Sequence, residues 1–177
     1  REAISNAFDA QAKNVVIDFS VVLECGERTL KIEIADDGKG MDKEGLKSFF
    51  FFLNSLNRYD ADAIGEKGHG TKVYFNSRKI DVITIKNEIR YHAVMKEPKR
   101  ELFNQHIPQV DVEVEQVEGE RSGTKICIYG YNNDRRDKFT HEQLKDYILW
   151  FTKMGSVEAA FGIEKNKDVK LKFKGVD

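Results

Sequence analysis

The sequence predicts an α+β fold in two layers, a mixed and mostly antiparallel sheet with helices on one face. Two observations carry that prediction. Alternating or β-branched runs follow one another across short turns, with few helices between them. Amphipathic helical segments stand apart from those runs, at the start, after the second run and near the end, so they cover the sheet instead of crossing over between parallel strands.

The elements follow in order. Residues 1–12 read as a helix, alanine-rich with Ile4 and Phe8 one turn apart. Asn14 to Glu24 is a β-branched strand, and Cys25-Gly26-Glu27 a turn. Thr29 to Ala35, with Leu30, Ile32 and Ile34 alternating, is the hairpin partner. Asp36 to Met41 is a glycine-rich turn, and Asp42 caps a helix predicted to reach about Leu56. Asn57 to Gly70 is a polar, glycine-punctuated loop, and a helix is expected from near Gly70 through Phe75. Strands are predicted over Lys79–Ile85, Ile89–Met95 and Gln109–Gln116, with an irregular stretch holding Pro98 and Pro108 between the last two. Gly119 to Gly123 turns into a strand over Thr124–Tyr129. Thr140 caps a helix over His141–Met154 with Leu144, Ile148 and Phe151 on its inner face, and Val169–Phe173 is a terminal strand. The domain is expected over residues 1–165, with 166–177 as the candidate start of a following one.

Bulk composition excludes several classes. The 177 residues are 40% hydrophobic and 33% charged, enough for one domain with a core. A net charge of −1 gives no electrostatic case for nucleic acid or an anionic membrane. Cys25 and Cys127 form no CxxC pair, and the four histidines show no metal-ligand spacing. The cysteine usage fits a reducing compartment, and no apolar run approaches the ~20 residues of a membrane span. A cytoplasmic protein that meets no membrane is therefore expected.

Candidate chemistry gathers in four places. Stepping ~100° per residue, Glu2, Asn6 and Asp9 share one stripe of the first helix, opposite Ala3, Ile4, Ala7 and Phe8. The stripe offers a base near an attacking water, a neutral oxygen ligand and a second carboxylate; alone, it also reads as an ordinary wet helix face. Asp36-Asp37-Gly38-Lys39-Gly40-Met41 combines a strand-end carboxylate, able to accept from an exocyclic amine, with glycines that permit close approach. A plain strand-to-helix turn would look the same. Gly65-Glu66-Lys67-Gly68-His69-Gly70-Thr71-Lys72 can cradle phosphate with backbone amides and lysines, without Walker spacing. Thr124, in Ser122-Gly123-Thr124-Lys125, can reach a base directly or through water, or simply start a strand.

Together and in this order the four elements resemble the GHKL superfamily, which includes gyrase-type topoisomerases, ninety-kilodalton heat-shock chaperones, histidine kinases and MutL-type repair proteins. ExxxNxxDA matches Glu2, Asn6, Asp9 and Ala10; DxGxGM matches Asp36, Gly38, Gly40 and Met41. GxxGxGxK matches Gly65, Gly68, Gly70 and Lys72, and the late GTK strand matches Gly123, Thr124 and Lys125. The likeness covers roughly residues 1–130 and implies the Bergerat fold, here lacking the upstream helix and strand. It implies ATP and Mg2+ as cofactors. Glu2 is implied as the water-activating base, Asn6 as the magnesium ligand and Asp9 as lying near ribose and phosphate. Asp36 is implied as the adenine reader with Thr124 assisting, and Met41 as a wall against the base. Gly65, Lys67, Gly68, His69, Gly70, Thr71 and Lys72 make the implied phosphate loop, and residues 42–64 the lid. Glu2 favours hydrolysis over the phosphotransfer of histidine kinases, which usually carry asparagine there. The mixture of features lies near the chaperones, the topoisomerases and the MORC-like ATPases.

The resemblance implies an ATP-operated clamp, homodimeric in the full-length protein, acting on a client through other domains. A histidine or serine protein kinase and a non-hydrolysing nucleotide sensor are the alternatives. Weak hydrolysis by this chain alone is expected, because relatives complete the site from a following domain. In the run Phe49–Phe52, at least one ring is expected to face outward or into the lid.

Overall fold

The computed structural model describes residues 2–24, 26–51, 71–137, 139–155 and 169–176. The helices are α1 (Glu2–Asp9), α2 (Lys43–Phe51), α3 (Pro98–Phe103) and α4 (His141–Phe151). The strands are β1 (Asn14–Glu24), β2 (Glu27–Asp36), β3 (Lys79–Lys86), β4 (Ile89–Lys96), β5 (Val110–Gln116), β6 (Gly123–Tyr129) and β7 (Lys170–Lys174). They form one sheet in the order β5-β4-β3-β6-β2-β1-β7. Every neighbouring pair is antiparallel except β1 with β7.

Period-two alternation builds the core. Register places Ile17, Ile34, Ile126, Val82 and Ala93 in one row across five strands, and Phe19, Ile32, Ile128, Ile80 and Met95 in the next. All ten are buried. Ile4 and Ala7 of α1, Leu46, Phe49 and Phe50 of α2, and Ile148 of α4 join the same cluster. The helices thus cover this face, as the alternation predicts.

The other face is charged. Glu33 takes Lys31 at 2.6 Å and Lys125 at 3.5 Å, Lys79 pairs with Glu24 at 2.6 Å, and His92 meets Asp81 at 3.1 Å. Cys127 lies buried among these groups, and burial pushes its thiol above the usual range, so it is a poor nucleophile. Among the described residues no helix is long and apolar enough to cross a membrane.

Several expectations change. Residues 98–103, expected to be irregular, form α3, because proline at a first helical turn is favourable and only interior proline breaks a helix. The helix expected from near Gly70 is, over Thr71–Phe75, a five-residue 3-10 turn. Phe151 does not face inward: it is 61% exposed, and Trp150 beside it 81%, while Ile148 carries the buried contact of α4. Phe49 and Phe50 of α2 (Lys43–Phe51) are both in the core; the side chains of Phe51 and Phe52, and residues 52–64 of the expected lid, lie outside the described residues. Residues 170–174, read as the candidate start of a further domain, extend this same sheet along β1.

Candidate functional site

The inner face of the sheet turns polar at one end. Asp36 ends β2 on the face of Ile34 and Ile32, and its register partner on β6 is Thr124. Thr124 pairs in turn with Thr84 of β3. One polar row therefore crosses three strands, next to the aliphatic row of Ile34, Ile126 and Val82.

Thr84 is the centre of that row and is completely buried. Its hydroxyl accepts from the Met41 N–H at 2.7 Å, lies 3.2 Å from the Gly123 carbonyl and 3.1 Å from the Thr124 hydroxyl. A hydroxyl has one proton to give. With Thr84 donating to Gly123, Thr124 donates to Thr84 and keeps its acceptor lone pairs for another group. The sequence reading passed over Thr84. Its signal was the threonine in the inward series Ile80, Val82, Thr84, where an aliphatic residue would continue the pattern.

The loop after β2 is folded tightly against α1. The helix ends in a Schellman arrangement: Gln11 is left-handed at φ 58, its N–H donates to the Phe8 carbonyl, and the Ala12 N–H donates to that of Ala7. Ala10 then presents its carbonyl to the Lys39 N–H at 2.9 Å. Gly38 lies so close that a Cβ there would stand 2.7 Å from the Ala10 Cβ. Gly40 is left-handed at φ 67, and a Cβ would overlap the Ile85 carbonyl oxygen. Both glycines are demanded by the approach of helix, loop and sheet, which brings α1 to the end of the polar row. Ala10 supports that contact by packing.

The two adjacent carboxylates have opposite fates. Asp37 accepts from the Lys13 and Asn14 amides at 2.8 and 2.7 Å and from the Asn14 side chain at 2.6 Å. Desolvation opposes ionisation there, but these hydrogen bonds outweigh it and hold the carboxyl below the usual range. Asp36 accepts, among the described residues, one hydrogen bond, from the Gly38 N–H at 2.9 Å. Desolvation dominates at Asp36 and raises its carboxyl, opposed by that amide and assisted by the neighbouring Asp37 charge. It is a half-buried carboxylate with acceptor capacity left over.

The remaining predicted residues are placed unevenly. Asn6 and Asp9 are exposed on α1, and Asn6 lies one turn before Ala10, whose N–H donates to its carbonyl at 2.9 Å. Glu2 opens α1, with its side chain outside the described residues. Met41 is partly buried against the core, and Asp42 caps α2 by accepting from the Gly45 N–H at 2.8 Å. Gly65, Lys67, Gly68, His69 and Gly70 lie outside the described residues. Thr71 and Lys72 open the 3-10 turn, their side chains likewise outside. Among the described residues no three His, Cys, Asp or Glu side chains gather as a metal site.

Comparison with known proteins agrees with this fold. Residues 1–124 match the family described as histidine kinase-, DNA gyrase B- and HSP90-like ATPase. No curated protein matches the chain. Among solved structures, the ATP-binding domain of topoisomerase IV from Francisella tularensis, in complex with a small-molecule inhibitor, superposes with a TM-score of 0.55 at 19% identity, over 97% of this chain and 77% of that one. The N-terminal domain of a DNA repair protein superposes with a TM-score of 0.53 at 18% identity, over 97% of this chain. The present chain spans 46% of that domain's chain. At these identities the two structures share its fold: an open, mixed seven-stranded sheet with few helices.

Proposed function

Since the chain belongs to the histidine kinase-, DNA gyrase B- and HSP90-like ATPase family, whose members bind ATP, we propose that the polar row ending β2 holds the adenine base and that the domain hydrolyses the bound nucleotide. The observation that carries this reading is Asp36: a carboxylate raised by burial, with one donor among the described residues, in a polar row with Thr124, whose hydroxyl meets that of the fully buried Thr84. The adenine amino group is a donor of the kind this acceptor lacks. Thr124 and water complete the edge contact, and Met41 walls the base.

The other assignments belong to the same proposal. Asn6 supplies a neutral oxygen to a magnesium ion otherwise held by water and phosphate. When bound, that ion neutralises charge on the phosphates. Asp9 borders the ribose and phosphates, and Gly65 to Lys72 cradles the phosphates. Glu2 orients and deprotonates the attacking water. The whole sheet, β7 included, belongs to the nucleotide-binding unit of a longer, homodimeric protein in which ATP sets a clamp, and the client is engaged elsewhere.

Calorimetric titration of Mg-ATP tests the base contact. Asp36→Asn is expected to weaken binding roughly ten- to hundredfold, the worth of a charge-assisted hydrogen bond in a desolvated site. GTP, with a carbonyl where adenine has an amine, is expected to bind about a hundredfold more weakly than ATP. Undiminished affinity in the variant removes Asp36 from the site. Glu2→Gln in the full-length protein should keep ATP affinity and abolish phosphate release. Transfer of labelled phosphate to a partner protein would instead assign a kinase, and no turnover in the intact dimer a sensor.

A further inference from the structure

The polar row occupies one part of the sheet, and the far edge carries a surface it does not use. β5 pairs, among the described residues, with β4 alone. Its sequence, VDVEVEQ, alternates valine with an acidic residue from Val110 to Glu115. Register puts Val110, Val112 and Val114 on the helix-covered face, opposite Met95, Ala93 and Tyr91. Yet Val112 is 48% and Val114 62% exposed. They wall an open apolar groove of about 520 Å3, closed on its other sides by Leu46 and Phe50 of α2 and by Ile107 and Pro108.

The opposite face of the same strand is acidic. Arg90 reaches Glu115 at 2.7 Å, His92 reaches Glu113 at 3.7 Å and Lys96 reaches Asp111 at 3.9 Å. Each carboxylate thus has a cationic or titratable neighbour on the β4 side, while its side chain remains 64–87% exposed. The sign of charge alternates from β4 to β5, and the next position outward calls for cations.

We propose that β5 is a docking edge for an extended segment of a partner protein that alternates apolar and basic side chains, added to the sheet as one more strand. The outward N–H and C=O groups of β5, which meet no further strand among the described residues, supply the backbone ladder. The partner's apolar side chains continue the valine wall over the groove, and its basic side chains meet Asp111, Glu113 and Glu115. Lys43 and Lys47 also line the groove and repel basic residues from the inner face, which sets the facing of the incoming strand. A second copy of β5 is a poor occupant, because like carboxylates would stand opposite one another. Acidic residues alone can guard an edge against aggregation, but half-exposed valines above an apolar groove do the reverse. The proposal stands apart from the nucleotide assignments, since Asp36, Thr84 and Thr124 take no part in it.

The test titrates the full-length protein with a fluorescein-labelled synthetic peptide of about eight residues alternating valine and lysine, and with its glutamate counterpart. The lysine peptide is expected to bind and the glutamate peptide not, with hydrogen-exchange protection gained at amides 110–116. Glu113→Lys with Glu115→Lys should weaken the lysine peptide about tenfold or more and admit the glutamate peptide. Both side chains are exposed, so the melting temperature should hold, and Val114→Ser serves as a second, charge-neutral variant that also weakens binding. Equal binding of the two peptides, indifference to the charge reversal, or protection confined to other strands would overturn the proposal. Self-association that the reversal abolishes, without peptide binding, would overturn it too by giving the edge to a second copy.

Discussion

The two ends of β2 carry similar residues and do opposite things. At the first end, Arg78 donates to Glu27 at 2.8 Å, to Asp134 at 2.7 Å and to the buried Thr29 hydroxyl at 2.8 Å. Asp134 also accepts from the Leu30 N–H at 2.7 Å, held there by a left-handed run through Asn132, Asn133 and Asp134. Acid, base and hydroxyl satisfy one another. At the last end Asp36 is desolvated by burial and accepts one described bond. Polarity at a strand end therefore does not mark a site. What marks it is acceptor capacity that the fold buries and leaves unfilled.

The largest expected effect tests whether backbone approach holds the open end together. Gly40→Ala combines a left-handed backbone with overlap on the Ile85 carbonyl. It should cost roughly 3 kcal/mol, read by denaturant unfolding, and remove nucleotide binding with it. A variant that melts like the parent would mean the loop can open without consequence.

Next comes the closed end. Arg78→Ala leaves Asp134 and Thr29 short of a donor and should destabilise by about 1–2 kcal/mol. Nucleotide affinity should be unchanged, and a loss measured by the same calorimetry would show that the two ends are coupled.

The smallest effect separates the adjacent acids by sign. Asp37 is lowered on folding, so its contribution is present above pH 3.8, its ordinary value, and disappears as pH falls through the folded one. Asp37→Asn should then lower the melting temperature at neutral pH and lose that effect in acid. Asp36 is raised, so its contribution is complete below pH 3.8 and fades as pH rises through the folded value. Asp36→Asn should hold or raise the melting temperature at neutral pH. Melting curves in which both variants shift the same way would contradict the assignment of the open and closed carboxylates.

Much of this architecture is local and could be read from the chain. Alternation in β1, β2, β3 and β6 names the inward residues because backbone pleating has period two. The stripe of α1 and the caps Asp42 and Thr140 follow from helix geometry and from unpaired first-turn amides. The four motifs, and the family they point to, depend on residue type and spacing alone. Other features needed the folded chain. Thr84 joins Asp36 and Thr124 because β6 lies between β2 and β3 in the sheet, a neighbour relation between segments far apart in the chain: Thr124 is 40 residues from Thr84 and pairs with Asp36, still further back. Asp36 and Asp37 look alike in sequence, and which one is tied down depends on Lys13 and Asn14 arriving from β1. The parallel place of β7, and the position of β5 at the edge of the sheet among the described residues, are likewise consequences of strand order. Periodicity is a property of one segment and its own backbone; register, burial and the count of hydrogen-bond partners are properties of segments that meet only after the chain has packed.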